Sequence, residues 1–237
     1  MELDRLLARG IGGWLQYEHA CQRAPIFSEK YLSYPIAQVL NTKYGANVHA
    51  EVKHPILGAK SPGRGRPPEI DFVVKDTNDE IVVAIESKWV GANVTKQTVE
   101  AIIWDLVRLA MIGNNEKVKC YFVLAGKKKH LWSLFNNIHF NGELDKKGRR
   151  RPILKVRPSD YMDVRIDSPK EDRIKLLKPI FKLCQDVDLP MRLGTGRTQL
   201  YPTQAFNYEY QVYVWEVMPN KQKIVFKPRN HAHYKVK

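Results

Sequence analysis

Cysteine is scarce in this chain and long apolar runs are missing. Cys21, Cys120 and Cys184 are the only three among 237 residues, far apart and with no CxxC pair. An odd, dispersed set excludes a disulfide framework and a zinc ribbon and points to a reducing cytoplasm. No stretch approaches the roughly eighteen uninterrupted apolar residues of a membrane span. The start, Met1-Glu2-Leu3-Asp4-Arg5, has acids where a secretory leader would have a basic stretch and then an apolar one. Internal repeats and low-complexity tracts are also missing. Glycine and proline, 14 of each, are too few for a collagen-like or loop-only chain. With 43% hydrophobic and 10% aromatic residues, there is enough apolar matter for a core that closes without covalent staples.

Acidic residues are missing from two particular segments. Lys and Arg number 39 against 25 Asp and Glu, a net charge of +14. Residues 1–116 hold 13 basic and 14 acidic groups and residues 161–220 hold 8 of each, so the excess lies in 117–160, with 12 against 3, and in 221–237, with 6 against none. The first basic segment contains Lys127, Lys128 and Lys129, then Lys146, Lys147, Arg149, Arg150 and Arg151. Such clusters replace the counterions around a phosphate backbone, so they predict a nucleic-acid partner. No Lys-rich amphipathic helix with an aromatic face accompanies them, which argues against a membrane surface.

Periodicity predicts the order of elements. Leu3, Leu6, Leu7, Ile11, Trp14 and Leu15 recur at helical spacing, with a bend expected at Gly12-Gly13. Ser28 suits an N-cap for a second helix carrying Tyr31, Leu32, Ile36, Val39 and Leu40 on one face, closed by Gly45. Pro35 should bend that helix or move its start later. A strand over 46–52 and a Gly/Pro/Arg-rich loop over 58–68 precede two branched-residue runs, 69–75 and 81–88, joined by Asp76-Thr77-Asn78-Asp79 as a hairpin. Thr95 caps a helix reaching Met111, with Gly113 at its end, and an apolar strand over 118–125 follows. Helices are expected at 130–136 and 171–185, and a second hairpin is expected to join 208–217 to 223–227. The sum is an α/β fold: a mixed central sheet flanked by helices, with a core over 1–160 and a β-rich elaboration over 161–237 packed on the same domain.

The chemistry concentrates in the first hairpin. In Pro68-Glu69-Ile70-Asp71-Phe72-Val73-Val74-Lys75, alternation turns Asp71 away from Ile70, Phe72 and Val74; in the next run Glu86 and Lys88 share one face. A turn of two or four residues sets Asp71 opposite Ala84 and makes Asp71 and Glu86 diagonal neighbours, whereas a three-residue turn separates them. Two such carboxylates suit Mg²⁺ or Mn²⁺, which take oxygen ligands and keep waters and substrate phosphate in the remaining positions. Lys88 would then orient an attacking water or stabilise charge on phosphorus.

These residues resemble the PD-(D/E)xK nuclease superfamily, whose restriction-endonuclease-like fold has an αβββαβ core. Asp71 matches the acid of the second core strand, Glu86-Ser87-Lys88 matches the (D/E)xK element of the third, and the resemblance covers about residues 28–125. It implies divalent-metal hydrolysis of DNA, less often of RNA, with Ser87 lending its backbone carbonyl to the metal and an acid from the first core helix completing the site. Glu29 is the first choice for that acid and Glu18 the reserve. Gln97 and Glu100 lie where some members place further groups. Proline stands before Glu69 rather than Asp71, so Glu69 remains an alternative first ligand.

The expected function is a cytoplasmic Mg²⁺-dependent endonuclease, with restriction or anti-phage defence as the role that family analogy suggests. A homodimer is compatible with cutting both strands. A non-catalytic nucleic-acid-binding protein of the same fold and an RNA-processing ribonuclease are the alternatives. Residues 201–215 alternate aromatic and polar groups as strand cores do, His231 and His233 read as part of a tail, and neither Gly194-Thr195-Gly196-Arg197 nor Asn93-Val94-Thr95 carries a functional motif.

Overall fold

The computed structural model describes residues 2–58, 67–113, 117–142, 146–156, 161–202, 208–218 and 224–232. Most of the 58–68 loop, the 219–223 turn and His233 lie outside them. The chain begins with α1 (Leu3–Ala20), whose Leu3, Leu7, Ile11 and Leu15 are buried at four-residue spacing. The expected bend at Gly12-Gly13 does not interrupt the helix. Gly12 serves close packing instead, since a Cβ there would collide with the Tyr201 ring.

In α2 (Glu29–Tyr44), the Ser28 hydroxyl accepts from the Tyr31 N–H at 3.3 Å, and Gly45 ends the helix with φ +59°. Pro35 lies inside it without displacing its start. It is buried on the stripe formed with Leu32, Ile36 and Leu40, and that burial offsets the one N–H it cannot donate.

Three strands follow: β1 (Val48–Lys53), β2 (Glu69–Lys75) and β3 (Ile81–Val90). Helix α3 (Lys96–Ile112) crosses to β4 (Lys119–Lys127). Its N-terminus is a reciprocal capping box, in which Thr95 and Thr98 bond each other's backbone N–H. The order from α2 to β4 is the αβββαβ sequence of elements expected from periodicity. Helices α4 (Lys128–Asn136), α5 (Ile138–Asn141) and α6 (Glu171–Leu183) and strands β5 (Tyr161–Arg165), β6 (Leu189–Pro190), β7 (Arg192–Tyr201), β8 (Tyr210–Met218) and β9 (Val225–Phe226) complete the chain.

Seven strands form one mixed, largely antiparallel sheet in the order β1-β2-β3-β4-β8-β7-β5. Within it β3 and β4 pair in parallel through the α3 crossover, and the other neighbours pair antiparallel. After residue 160, β5, β7 and β8 therefore extend the same sheet, whereas β6 and β9 pair apart from it.

Two expectations in this part change. β9 pairs with the short β6 rather than folding back on β8, because β8 is already bonded on both edges by β4 and β7. β7 was not foreseen, since its Gly194 and Gly196 weaken a strand signal, and the short β5 escaped notice as well. As expected for strand core, Tyr210 and Trp215 are buried, and the Trp215 Nε1 donates to the Lys155 carbonyl at 2.9 Å.

Both sheet faces are covered. Phe72, Ile85, Val123 and Val214 of the sheet share one core with Leu7 and Leu15 of α1 and Ile36 of α2. Ile102, Leu106, Phe122, Phe181 and Trp215 form the core under α3 and α6. Among the described residues no helix is long and apolar enough to cross a membrane.

Candidate active site

The β2–β3 hairpin sets the first two acids, in a register other than the one expected. Phe72 stands opposite Ile85, Val73 opposite Ala84 and Val74 opposite Val83, with a bulge between Val74 and Lys75. Asp71 is therefore not opposite Ala84, and one further step of this register brings it level with Glu86. The shift is two residues: a five-residue turn that pairs Lys75 with Ile81 supplies one and the bulge the other. The turn itself is fixed by the Asp76 carboxylate, which accepts from the backbone N–H of Asn78 at 2.9 Å and of Glu80 at 3.0 Å.

At its new level, Asp71 Oδ2 accepts from both the Ser87 backbone N–H and the Ser87 hydroxyl, each at 2.7 Å. Burial raises the Asp71 pKa above the ordinary carboxylate range, against the pull of the two Ser87 bonds. Glu86 is only 1% exposed and faces α3, where its Oε1 lies 3.0 Å from Arg108 Nη2. Burial drives its pKa strongly upward; Arg108 opposes this, while Asp105 and Asp71 add to it.

Lys88, two residues on, reaches the Glu29 carboxylate at 2.9 Å and Asp105 Oδ2 at 3.4 Å. Burial pulls its ammonium down, yet Asp105, Glu29 and Asp71 outweigh that and raise its pKa. Lys88 is thus a proton-bearing cation at neutral pH.

Sequence reading missed two residues that complete this cluster, Asp105 and Arg108 of α3. Arg108 donates to Asp105 Oδ1 at 2.7 Å and to the Glu69 carbonyl at 2.6 Å, and its guanidinium lies 5.7 Å from the Trp104 ring centroid. Burial lowers its pKa, but Glu86 and Asp105 outweigh it and hold the guanidinium charged. Its own carbonyl is bonded by His54 Nε2 at 3.1 Å, while His54 Nδ1 accepts from the Ile56 and Leu57 N–H groups. That pattern assigns the neutral Nε2–H tautomer, consistent with a His54 pKa lowered by burial to about 4. A signal did exist: between 101 and 113, Asp105 and Arg108 are the only charged residues in an otherwise apolar stretch.

The remaining candidates sort by geometry. Glu29, the first residue of α2, joins the cluster through Lys88. Glu18 does not; it is buried against Arg23 at 3.1 Å and the Tyr31 hydroxyl at 2.6 Å, tying α1 to α2. Glu69 contributes its backbone carbonyl. Gln97 accepts from the Thr95 hydroxyl and Glu100 pairs with Lys96, both within the first turns of α3.

Four carboxylates, Asp71, Glu86, Asp105 and Glu29, thus surround two cations, Lys88 and Arg108, a formal imbalance of two negative charges in a setting that is dry around Glu86 and Asp105 and open at Glu29. Glu86 Oε1 and Asp105 Oδ2 are buried and make no well-aligned hydrogen bond among the described residues, each meeting only an ion-pair partner, Arg108 at 3.0 Å and Lys88 at 3.4 Å. Left to itself, such a cluster takes up protons: burial raises the pKa of Asp105 as it does those of Asp71 and Glu86. No three Asp, Glu, His or Cys side chains among the described residues converge as a ready-made metal cage. Mg²⁺ and Mn²⁺ do not require one, because one or two carboxylates with water and phosphate suffice. The all-oxygen donor set, the two buried oxygens without a well-aligned hydrogen bond and the formal excess of two negative charges fit such an ion.

The predicted basic residues occupy two places. Lys127 ends β4, one residue beyond the Gly126–Val90 pair and three beyond the level of Lys88, about 10 Å along the strand direction. With Lys128, Lys129, Tyr208 and Glu209 it borders a hollow beside Trp132, which is 68% exposed. Lys127 is paired with Glu209 at 2.5 Å. Lys146, Lys147, Arg149, Arg150 and Arg151 are exposed in the segment before β5. No family model, curated protein or solved structure matches this chain.

Proposed function

We propose that the protein is a divalent-metal-dependent endonuclease that hydrolyses phosphodiester bonds in DNA. The observation that supports this best is the acid cluster with its surplus of two negative charges and a fixed ammonium at its edge. Asp71 and Glu86 would hold Mg²⁺ or Mn²⁺, with the Ser87 carbonyl as the further ligand that the family resemblance suggests. When bound, the ion supplies Lewis-acid polarisation of the phosphate and a more acidic water.

The chain's own residues do the rest. Ser87 fixes Asp71, and Arg108 keeps Glu86 and Asp105 facing inward. Lys88, protonated and held by Glu29 and Asp105, cannot act as a base; it orients the water and stabilises the negative charge that builds on phosphorus. The water oxygen bonds to phosphorus as the bond to the leaving strand's oxygen breaks; the water's proton passes to solvent, and the leaving oxygen takes one up from it. Lysines 127–129 hold phosphates beside the reacting one, and Trp132 offers a face for a neighbouring base.

The test is incubation of the purified protein with plasmid, single-stranded DNA, duplex DNA and RNA, in Mg²⁺, in Mn²⁺ and in EDTA. Metal-dependent cutting of DNA is expected. Binding without cutting in either metal would favour a nucleic-acid-binding protein in which the Glu86–Arg108 pair is purely structural, a reading helped by the lack of a preformed cage. Cutting restricted to RNA would favour the ribonuclease.

The lysine surface makes a separate prediction. Lys128→Ala with Lys129→Ala should reduce the slope of log K against log salt by about 2. Trp132→Ala should weaken single-strand binding by about 1–3 kcal/mol with little change of slope. Fluorescence titrations over a salt series measure both, and unchanged slopes and affinities would remove this surface from the interface.

A further inference from the structure

A second concavity, of about 490 Å³, opens between β5, the entry to α6 and the chain at 142 and 150–155. In the sheet order β5 is four strands from β3, roughly 19 Å at the usual strand spacing, so this cavity is separate from the acid cluster. Cations dominate its lining: Arg150, Arg151, Lys155, Arg165, Lys170 and Arg173 against Asp163 and Asp172. Asp163 is already neutralised by Arg192 at 3.0 Å, and Arg165 is held by Asp167 at 2.6 Å.

Arg173 sets the cavity apart from a merely basic surface. It is 7% exposed; its Nη2 donates to the Arg151 carbonyl, while its Nη1 has no acceptor among the described residues. Burial lowers its pKa, and Asp172 offsets only part of that. A buried guanidinium nitrogen without an acceptor is costly, and an entering anion removes the cost. The second feature is the N-terminus of α6, a helix of 13 residues whose N-cap, Lys170, provides no side-chain cap. Its first-turn N–H groups point to the same end as Lys170, Asp172 and Arg173, and such a terminus favours an anion.

We propose that this cavity is a binding site for a phosphate monoester, the chemistry shared by a mononucleotide and the 5′-phosphorylated end of a nucleic-acid strand. A terminal dianion can enter and reach Arg173, whereas a diester backbone passing over the mouth leaves it without an acceptor. The volume is that of a small-ligand pocket, and Pro152, Met162 and Pro169 give it an apolar wall for the sugar and base. The site does not depend on the nuclease reading.

Calorimetry in EDTA, which takes the acid cluster out of play, tests it with inorganic phosphate, a nucleoside, its 5′-monophosphate, and oligonucleotides with 5′-phosphate or 5′-hydroxyl ends. The monophosphate should bind at least about tenfold tighter than the nucleoside. Arg173→Gln should erase that difference. Because Arg173 is buried, the exposed Lys170→Ala and Arg150→Ala variants are measured too, and each should weaken monophosphate binding several-fold at unchanged Tm, with Lys43→Ala, on the exposed side of α2, unaffected. A preference for the 5′-phosphorylated oligonucleotide identifies the strand end as the source; a preference confined to the free nucleotide identifies the small molecule. Equal affinity for nucleoside and monophosphate, or monophosphate binding indifferent to all three variants, would overturn the proposal.

Discussion

Glu86→Gln is expected to lower the rate of metal-dependent cleavage by about three orders of magnitude or more, the scale of losing a metal ligand together with the charge stabilisation it organises, while leaving the protein folded. Gln has the shape of the protonated acid, which is the form that burial favours at this position. The sign of the pH effect follows. A carboxyl whose folded pKa is raised contributes stability that is fully present below its unfolded value, about 4.3 for Glu, and lost as pH rises through the folded value. Wild-type protein in EDTA should therefore lose Tm toward alkaline pH more steeply than the variant, and at pH 8 the variant should melt no lower.

Mg²⁺ should act in the opposite sense. It takes the place of protons, so its stabilisation of the wild type should strengthen from acid to alkaline pH and be largely absent in Glu86→Gln. Calorimetric melting with and without Mg²⁺ at several pH values, beside a plasmid-nicking assay, measures all of this. Full activity in Glu86→Gln, or Mg²⁺ stabilisation that ignores pH, would remove Glu86 from the metal site. Lys88→Ala should depress cleavage too, through the lost ammonium, with smaller changes in Mg²⁺ uptake.

Arg108→Ala carries the largest stability effect, a loss of about 3–5 kcal/mol at neutral pH, the usual result of removing one member of a buried ionic group. The guanidinium touches Glu86, Asp105 and the Glu69 carbonyl. Its removal leaves four carboxylates facing the single ammonium of Lys88. The damage should grow as pH rises toward the alkaline range, because Glu86, whose pKa burial pushes up to about 10, then ionises with no guanidinium to meet it. It should shrink with Mg²⁺, if the ion enters beside the same acids. Urea unfolding at two pH values measures the first effect, and repetition with Mg²⁺ the second. A destabilisation equal at both pH values would mean that Arg108 acts through packing on Trp104 rather than through charge.

The sheet's first half was legible because each element there has a local cause. Ser28 and Thr95 cap helices through their own side chains, and branched runs around an Asp-rich turn carry a hairpin signal within a few residues. The site was partly legible for the same reason: Glu86, Ser87 and Lys88 are neighbours on one strand, and Asp71 lies on the adjacent arm. The bulge at Val74 was invisible, since it changes pairing without changing composition. The pairing of β9 with β6 was invisible too, because a strand's partner is decided by which edges are already taken.

From the sequence alone came the α/β class, the capped helices, the acid–acid–lysine hairpin and the location of the basic excess, all of which rest on contacts or alternations within a few residues. Tertiary structure decided that Glu18 belongs to Arg23 and Tyr31, that Asp105 and Arg108 join the acids from across the α3 crossover, and that Arg173 ends in a cavity with a nitrogen left over. The reason is common to the three. A charged side chain takes its role from the desolvated neighbours it meets, and for these residues the decisive neighbours come from other elements of the fold.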